Sequence, residues 1–93
     1  MATDFEWDPD KAVVNLKKHG VSFEEAVSAF FDLLSVTIDD PLHSDSERRA
    51  ILIGQSSTGR LLVAAHVDRS ARIRIISARI ATRKERRDYE KAN

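Results

Sequence analysis

Apolar and polar positions along this chain alternate in some stretches and recur every three to four residues in others, and together they mark out eight elements. Asp4 to Asp8 alternates, with Phe5 and Trp7 on one side and Glu6 and Asp8 on the other. That two-residue period is a short strand. Asp8 then offers an N-cap oxygen, and Pro9 suits the first helical position. Ala12, Val13 and Leu16 recur at helical spacing, Lys17, Lys18 and His19 sit in the last turn, and Gly20 ends it. Ser22-Phe23-Glu24-Glu25 has the spacing of a capping box and opens a second helix. Its expected buried stripe is Phe23, Ala26, Val27, Phe30 and Phe31.

Leu34 to Asp39 alternates again, with Leu34, Val36 and Ile38 on one face, until Asp40-Pro41 breaks the strand. A polar loop follows from His43 to Glu47. Arg49 to Gln55 is apolar enough for a central strand, and Ser56-Ser57-Thr58-Gly59 is a hairpin turn. Arg60 to Val67 pairs back, with Leu61, Val63, Ala65 and Val67 on one face. Asp68-Arg69-Ser70-Ala71 forms a second turn, and Arg72 to Ile80 is the last long strand. Thr82 opens a C-terminal helix, where Glu85 completes a capping box. The order β-α-α-β-β-β-β-α predicts an α+β fold over residues 1–93 as one domain. The sheet is mostly antiparallel, two N-terminal helices pack on one face, and a C-terminal helix follows.

The last strand breaks its own alternation. Strict alternation puts Ile73 and Ile75 on one face but Ile76 and Ala78 on the other. A bulge between Ile75 and Ile76 restores consistency and turns Arg72, Arg74, Ser77 and Arg79 outward together. Charge makes this strand the centre of interest. Residues 1–47 hold three Lys and Arg against eleven Asp and Glu, and residues 48–93 hold twelve against four. The formal net charge of zero hides an acidic half and a basic half. Guanidinium groups lining an exposed sheet face suit a phosphate backbone, because each offers a fixed fork of donors. The plainer alternative is a solvated face with salt bridges to the acidic half.

Candidate chemistry clusters around that face. His66 lies on the same side of its strand as Arg60 and Asp68, opposite the Leu61/Val63/Ala65/Val67 stripe. A histidine beside arginines suits RNA cleavage by the neighbouring 2′-hydroxyl, with imidazole as acid or base and guanidinium as charge stabiliser. The alternative for His66 is a half-exposed strand histidine. His43 and Glu47 are two potential metal ligands without a third, and a loop role is favoured for them. Trp7 and Phe5 read as core residues. His19 reads as an exposed residue at the end of its helix. Tyr89 either packs back onto the sheet or joins a cleft. The Glu24/Glu25 and Asp39/Asp40 pairs read as ordinary surface features. The absence of cysteine excludes disulfides and thiolate metal sites. No motif implies a cofactor. The apolar runs are too short to span a bilayer, and MATDFEWDPD lacks a signal pattern, so a cytoplasmic protein with no membrane partner is expected.

With the segments placed, the chain resembles the BrnT family of toxins from bacterial type II toxin–antitoxin systems. The resemblance rests on Phe5-Glu6-Trp7-Asp8-Pro9, Lys11, Asn15, Lys18-His19-Gly20-Val21 and Phe23-Glu24-Glu25-Ala26 at the start. It continues through Asp40, His43-Ser44, Glu47 and Arg49, then Ile53-Gly54 and Gly59-Arg60. It closes on Ile73 to Arg79, Ala81-Thr82, Glu85 and Tyr89. It implies a RelE-like fold and a metal-independent endoribonuclease that blocks translation and growth. It implies a ribbon-helix-helix antitoxin of the BrnA type, two copies of each chain in the complex, and contact with operator DNA only through the antitoxin. On this chain it implies Arg69 and Arg79 as catalytic residues, with the nearby His66 taken as a third, and Arg72, Arg74 and Arg83 as RNA-binding residues. Asp68 stands where the family more often has a glutamate, which leaves residue 68 with no assigned acid or base role. Two further readings share the basic face: a non-catalytic nucleic-acid-binding or corepressor module, and a degenerate toxin kept as an assembly partner.

Overall fold

The computed structural model describes residues 4–40 and 48–93, so the expected break at Asp40-Pro41 and the His43–Glu47 loop lie largely outside the described residues. The elements are β1 (Asp4–Glu6), α1 (Pro9–His19), α2 (Phe23–Ala29), β2 (Val36–Asp39), β3 (Arg49–Gln55), β4 (Leu61–Arg69), β5 (Arg72–Ile80) and α3 (Arg83–Lys91). The expected α+β class and element order are the ones observed. Asp8 caps α1, Gly20 ends it at φ 69°, and Ser22 and Thr82 accept from the Glu25 and Glu85 amides. Only Thr82 and Glu85 close the full capping box, because the Glu25 carboxylate turns to Arg60, Ser56 and Thr58 instead.

The strands form a five-stranded sheet in the order β1-β5-β4-β3-β2. β2 to β5 run as an antiparallel meander, whereas β1 pairs parallel with the first three residues of β5. The expected bulge is present. Ala65 faces Ser77 and His66 faces Ile75, so Ile76 is the extra residue.

Helices cover both faces. On one, Leu52, Leu62, Ala64, Ile75 and Ala78 form a core with Val21, Phe23, Ala26 and Ala29 at and beside α2. Trp7 closes this core edge-on against Phe23 at 5.8 Å, and Phe5 does the same against Phe30 at 5.1 Å. Gly54 lets α2 approach β3 directly, since a Cβ there would lie 2.6 Å from the Ala29 carbonyl oxygen. On the other face, Ile53, Leu61 and Val63 pack with Ile51, Ala81 and Tyr89 beneath α3. Among the described residues no helix is long and apolar enough to cross a membrane.

Three expectations change. In α1 the buried residue is Asn15, 6% exposed, while Val13 and Leu16 are 56% and 50% exposed. Beyond β1 the β5 edge has no strand partner, and the Asn15 amide takes that place. Its Nδ2 donates to the Ala78 carbonyl at 2.8 Å and to the Val21 carbonyl at 3.0 Å, and its Oδ1 accepts the Ala78 N–H at 3.1 Å. Phe31 is exposed rather than part of the buried stripe, because α2 stops at Ala29. β4 runs on to Arg69, which narrows the second turn to Ser70-Ala71, with Ser70 at φ 55°.

Candidate functional site

The β4–β5 register determines which side chains share a face. Residues opposite one another in an antiparallel pair point the same way. Val67 faces Arg74, Val63 faces Arg79, and Arg69 faces Arg72, so all four arginines lie on the side away from α1 and α2. Arg49 joins them, since β3 places it opposite Val67 in line with Arg74. Ser77 shares this face through Ala65.

Two carboxylates hold the arginines in place. Glu6, opposite Arg74 in the parallel register, stands 3.2 Å from Arg74 Nε, 3.4 Å from Arg72 Nη1 and 3.6 Å from Arg69 Nη1. Loss of solvent would raise the Glu6 carboxyl, but the Arg72 hydrogen bond and the charges of Arg74, Arg69 and Arg72 outweigh it and lower it overall. Arg79 reaches along the strand to Glu85 with two parallel bonds of 2.8 Å. Glu85 also accepts the Thr82 N–H at 2.8 Å, closing the capping box, so one carboxylate both starts α3 and orients Arg79. The Arg79 bond, against partial burial, holds Glu85 down at about 2, and the same bond raises Arg79. Asp40, buried and next in register after Asp39, stands opposite Arg49 with its N–H on the Arg49 carbonyl at 3.0 Å. Among the described residues five arginines therefore meet three carboxylates on this face, which stays cationic. The guanidinium groups at 69, 72, 74 and 79 stay part-exposed. Such a face offers oriented donors to a run of phosphates and charge stabilisation to one of them. Arg83, at the first position of α3, is exposed beyond the end of β5.

His66 does not join this group, contrary to the expectation that it stands beside Arg69 and Arg79. The Leu61/Val63/Ala65/Val67 stripe leads directly to Arg69, so that stripe is itself the arginine side. His66 shares the other side with Leu62 and Ala64, is buried, and meets the Phe30 ring edge-on at 4.9 Å. Burial pushes its imidazole below the ordinary value, against smaller opposing effects of the Ala64 carbonyl and Asp68. Arg60 is also on this side and is tied to Glu25 through Nε at 2.9 Å and to the Gly20 carbonyl at 3.0 Å. Ser56 and Thr58 hydroxyls donate to the same carboxylate at 2.7 and 2.6 Å. Arg60 foremost, despite partial burial, holds Glu25 at about 2, so Glu25 is a junction of α2 with the β3–β4 turn and not an ordinary surface acid. Tyr89 packs back onto the sheet and donates to Asp32 Oδ2 at 2.6 Å, which pushes the phenol up to about 12. Trp7 lies in the core as read, and His43 and Glu47 lie outside the described residues. No group of three or more His, Asp or Glu side chains gathers among the described residues.

Glu6 and Arg49 are the members that sequence reading missed. The alternation of Phe5, Glu6 and Trp7 already set Glu6 on a polar side. Its partner is a parallel strand far along the chain, which alternation cannot reveal. Arg49 shares parity with Ile51 and Ile53, and that parity was the available signal.

No curated relative matches this chain. Among solved structures, the 1.1 Å crystal structure of the Brucella abortus ribonuclease toxin BrnT is similar, with a TM-score of 0.58 and 23% identity, over 87% of this chain and 100% of that one. That likeness supports the fold. Residues 7–85 match the model of the ribonuclease toxin BrnT of type II toxin–antitoxin systems, and the chain belongs to that family, which implies an antitoxin partner.

Proposed function

We propose that this chain is a metal-independent endoribonuclease toxin that cleaves RNA on the arginine face of β4 and β5, and so arrests translation and growth. The observation that carries the reading is the convergence of Arg49, Arg69, Arg72, Arg74 and Arg79 on one sheet face, the last four held by Glu6 and Glu85. In the proposed reaction the 2′-hydroxyl oxygen attacks the adjacent phosphorus and loses its proton, and the 5′-oxygen of the next nucleotide leaves with a proton. The nucleophile belongs to the substrate. The protein supplies position and positive charge for the crowded phosphorane. Arg69 and Arg79 serve as charge stabilisers at the reacting phosphate, and Arg72, Arg74 and Arg83 bind neighbouring phosphates. His66, buried under Phe30, is given a packing role.

The partner proposed is a BrnA-type ribbon-helix-helix antitoxin, two copies of each chain in the complex, with operator DNA bound only by the antitoxin. The decisive experiment incubates purified protein with single-stranded RNA in excess EDTA. Cleavage should persist, and Arg69→Ala and Arg79→Ala should each lower its rate by about 100-fold, the scale of losing one transition-state charge contact. Unchanged rates in both variants, with folding verified by circular dichroism, would remove this face from the chemistry. A second reading has an observation of its own. The described arginine face carries no histidine, and the Glu6 and Glu85 carboxyls beside the arginines are held low, so neither is tuned for proton transfer. A binding-only module of the same operon would retain RNA with steep salt dependence and leave it intact.

A further inference from the structure

An open pocket of about 330 Å³ lies beside the arginine face, between α1 and the β5 edge. Its cause is topological. β1 ends at Glu6, so β5 has no strand partner beyond Arg74, and only the Asn15 amide bridges from α1 to Ala78. The bulge leaves Ile76 lining this gap. Val14 and Ile76 give it apolar walls, and Lys11, Lys18 and His19 stand around it with one carboxylate, Asp10, so the lining charge is net positive. Neither lysine joins an ion pair among the described residues. Ser77 lines the pocket and also belongs to the arginine face, so the two surfaces are continuous. The smaller apolar groove between α1 and α2, about 130 Å³, has no such link.

The combination fits one kind of occupant. The volume is at the low end of the range for small-molecule sites, about 300–1,000 Å³. Apolar walls suit the flat face of a base, and two ammonium groups suit the phosphate attached to it. We propose that this pocket receives one unpaired nucleobase of the RNA whose backbone lies on the arginine face, with Lys11 and Lys18 taking the adjacent phosphate. This inference rests on the reading of that face as an RNA surface. Because Asn15 already spends both amide groups on Ala78 and Val21, it has little left to read a base edge.

The test uses 2′-O-methyl hexaribonucleotides, which lack the attacking hydroxyl and cannot be cleaved by it. Binding is measured for the intact oligomer and for versions with one abasic position moved along it. For the wild-type chain one abasic position should weaken binding by about tenfold, within the range for losing one stacked base. Val14→Trp, at an exposed helix position, should weaken the intact oligomer equally and make binding indifferent to the abasic position. Lys18→Glu, which touches no core contact, should weaken binding and reduce its salt dependence, and it carries the test if Val14→Trp fails to fold. If both variants bind like wild type while Arg74→Ala loses binding, the pocket is refuted and the RNA surface stands. If the wild-type chain does not bind the hexamers at all, the surface and the pocket fall together.

Discussion

Among the described residues Asn15 stands in for the strand partner that β5 lacks beyond β1, and its three bonds satisfy the Ala78 N–H and the Ala78 and Val21 carbonyls. Replacement by leucine keeps the volume and the helix propensity but strands the Ala78 N–H and two carbonyls. Each unsatisfied buried group costs roughly 1–3 kcal/mol, so with three stranded Asn15→Leu should lose about 3 kcal/mol or more, read from the urea midpoint. A loss within about 0.5 kcal/mol, the range of ordinary surface changes, would mean water replaces the amide. The sequence pointed the other way at this position. Ala12, Val13 and Leu16 at helical spacing look like a core stripe, and an asparagine among them looks like its edge. Periodicity scores side chains by polarity, and it cannot see a polar side chain that is buried because a backbone edge needs it. Glu25 was misjudged for the same reason. Its value lies in meeting Arg60, Ser56 and Thr58, all more than thirty positions away.

Elements were more legible where the signal is local. The β5 bulge followed from the change of apolar parity at Ile75-Ile76, and the α3 start followed from Thr82 and Glu85. The parallel β1–β5 pair was not legible, because three residues carry no register and their partner lies more than sixty positions on. That pair brings Glu6 to the arginines, so the site was legible as a row of arginines and not as a clamp. At the far end of the molecule α3 is held by Tyr89. Its hydroxyl bonds Asp32, whose carboxylate also accepts the Gln55 and Leu34 amides. Tyr89→Phe should cost about 1–2 kcal/mol, somewhat discounted from a buried charged hydrogen bond because the pair is only part-buried. Burial alone would raise Asp32, and the Tyr89 bond helps hold it low, so the same variant should move its carboxyl upward in an NMR titration. An unmoved Asp32 would show that the backbone amides hold it unaided.

At the scale of the whole molecule, the zero net charge divides into a cationic sheet face and an acidic first half, while pH acts at different points on a buried core histidine and on the carboxylates that arginines hold. His66 is the group that responds first. Burial lowers its folded value, so the folded chain keeps it neutral while the unfolded chain takes a proton near pH 6.5. Its contribution is complete above that value and is lost as the pH falls below it. Glu25 and Glu85 respond later. Each is held at about 2 by its arginine, so their stabilisation is complete above the ordinary carboxylate range and is lost as the pH falls from there towards 2. Glu6 and Asp32, also held low, add in the same direction. Stability measured by urea unfolding should therefore decline in two stages, a shallow one that sets in as the pH falls through about 6.5 and a steeper one below about pH 4.5. His66→Gln should flatten the first stage and leave the second. Arg60→Ala should shrink the second and leave the first, because Glu25 would then titrate closer to its unfolded value. A wild-type curve that stays level as the pH falls below about 6.5 would mean His66 is protonated in place, which the Phe30 ring and the surrounding core give it little means to tolerate.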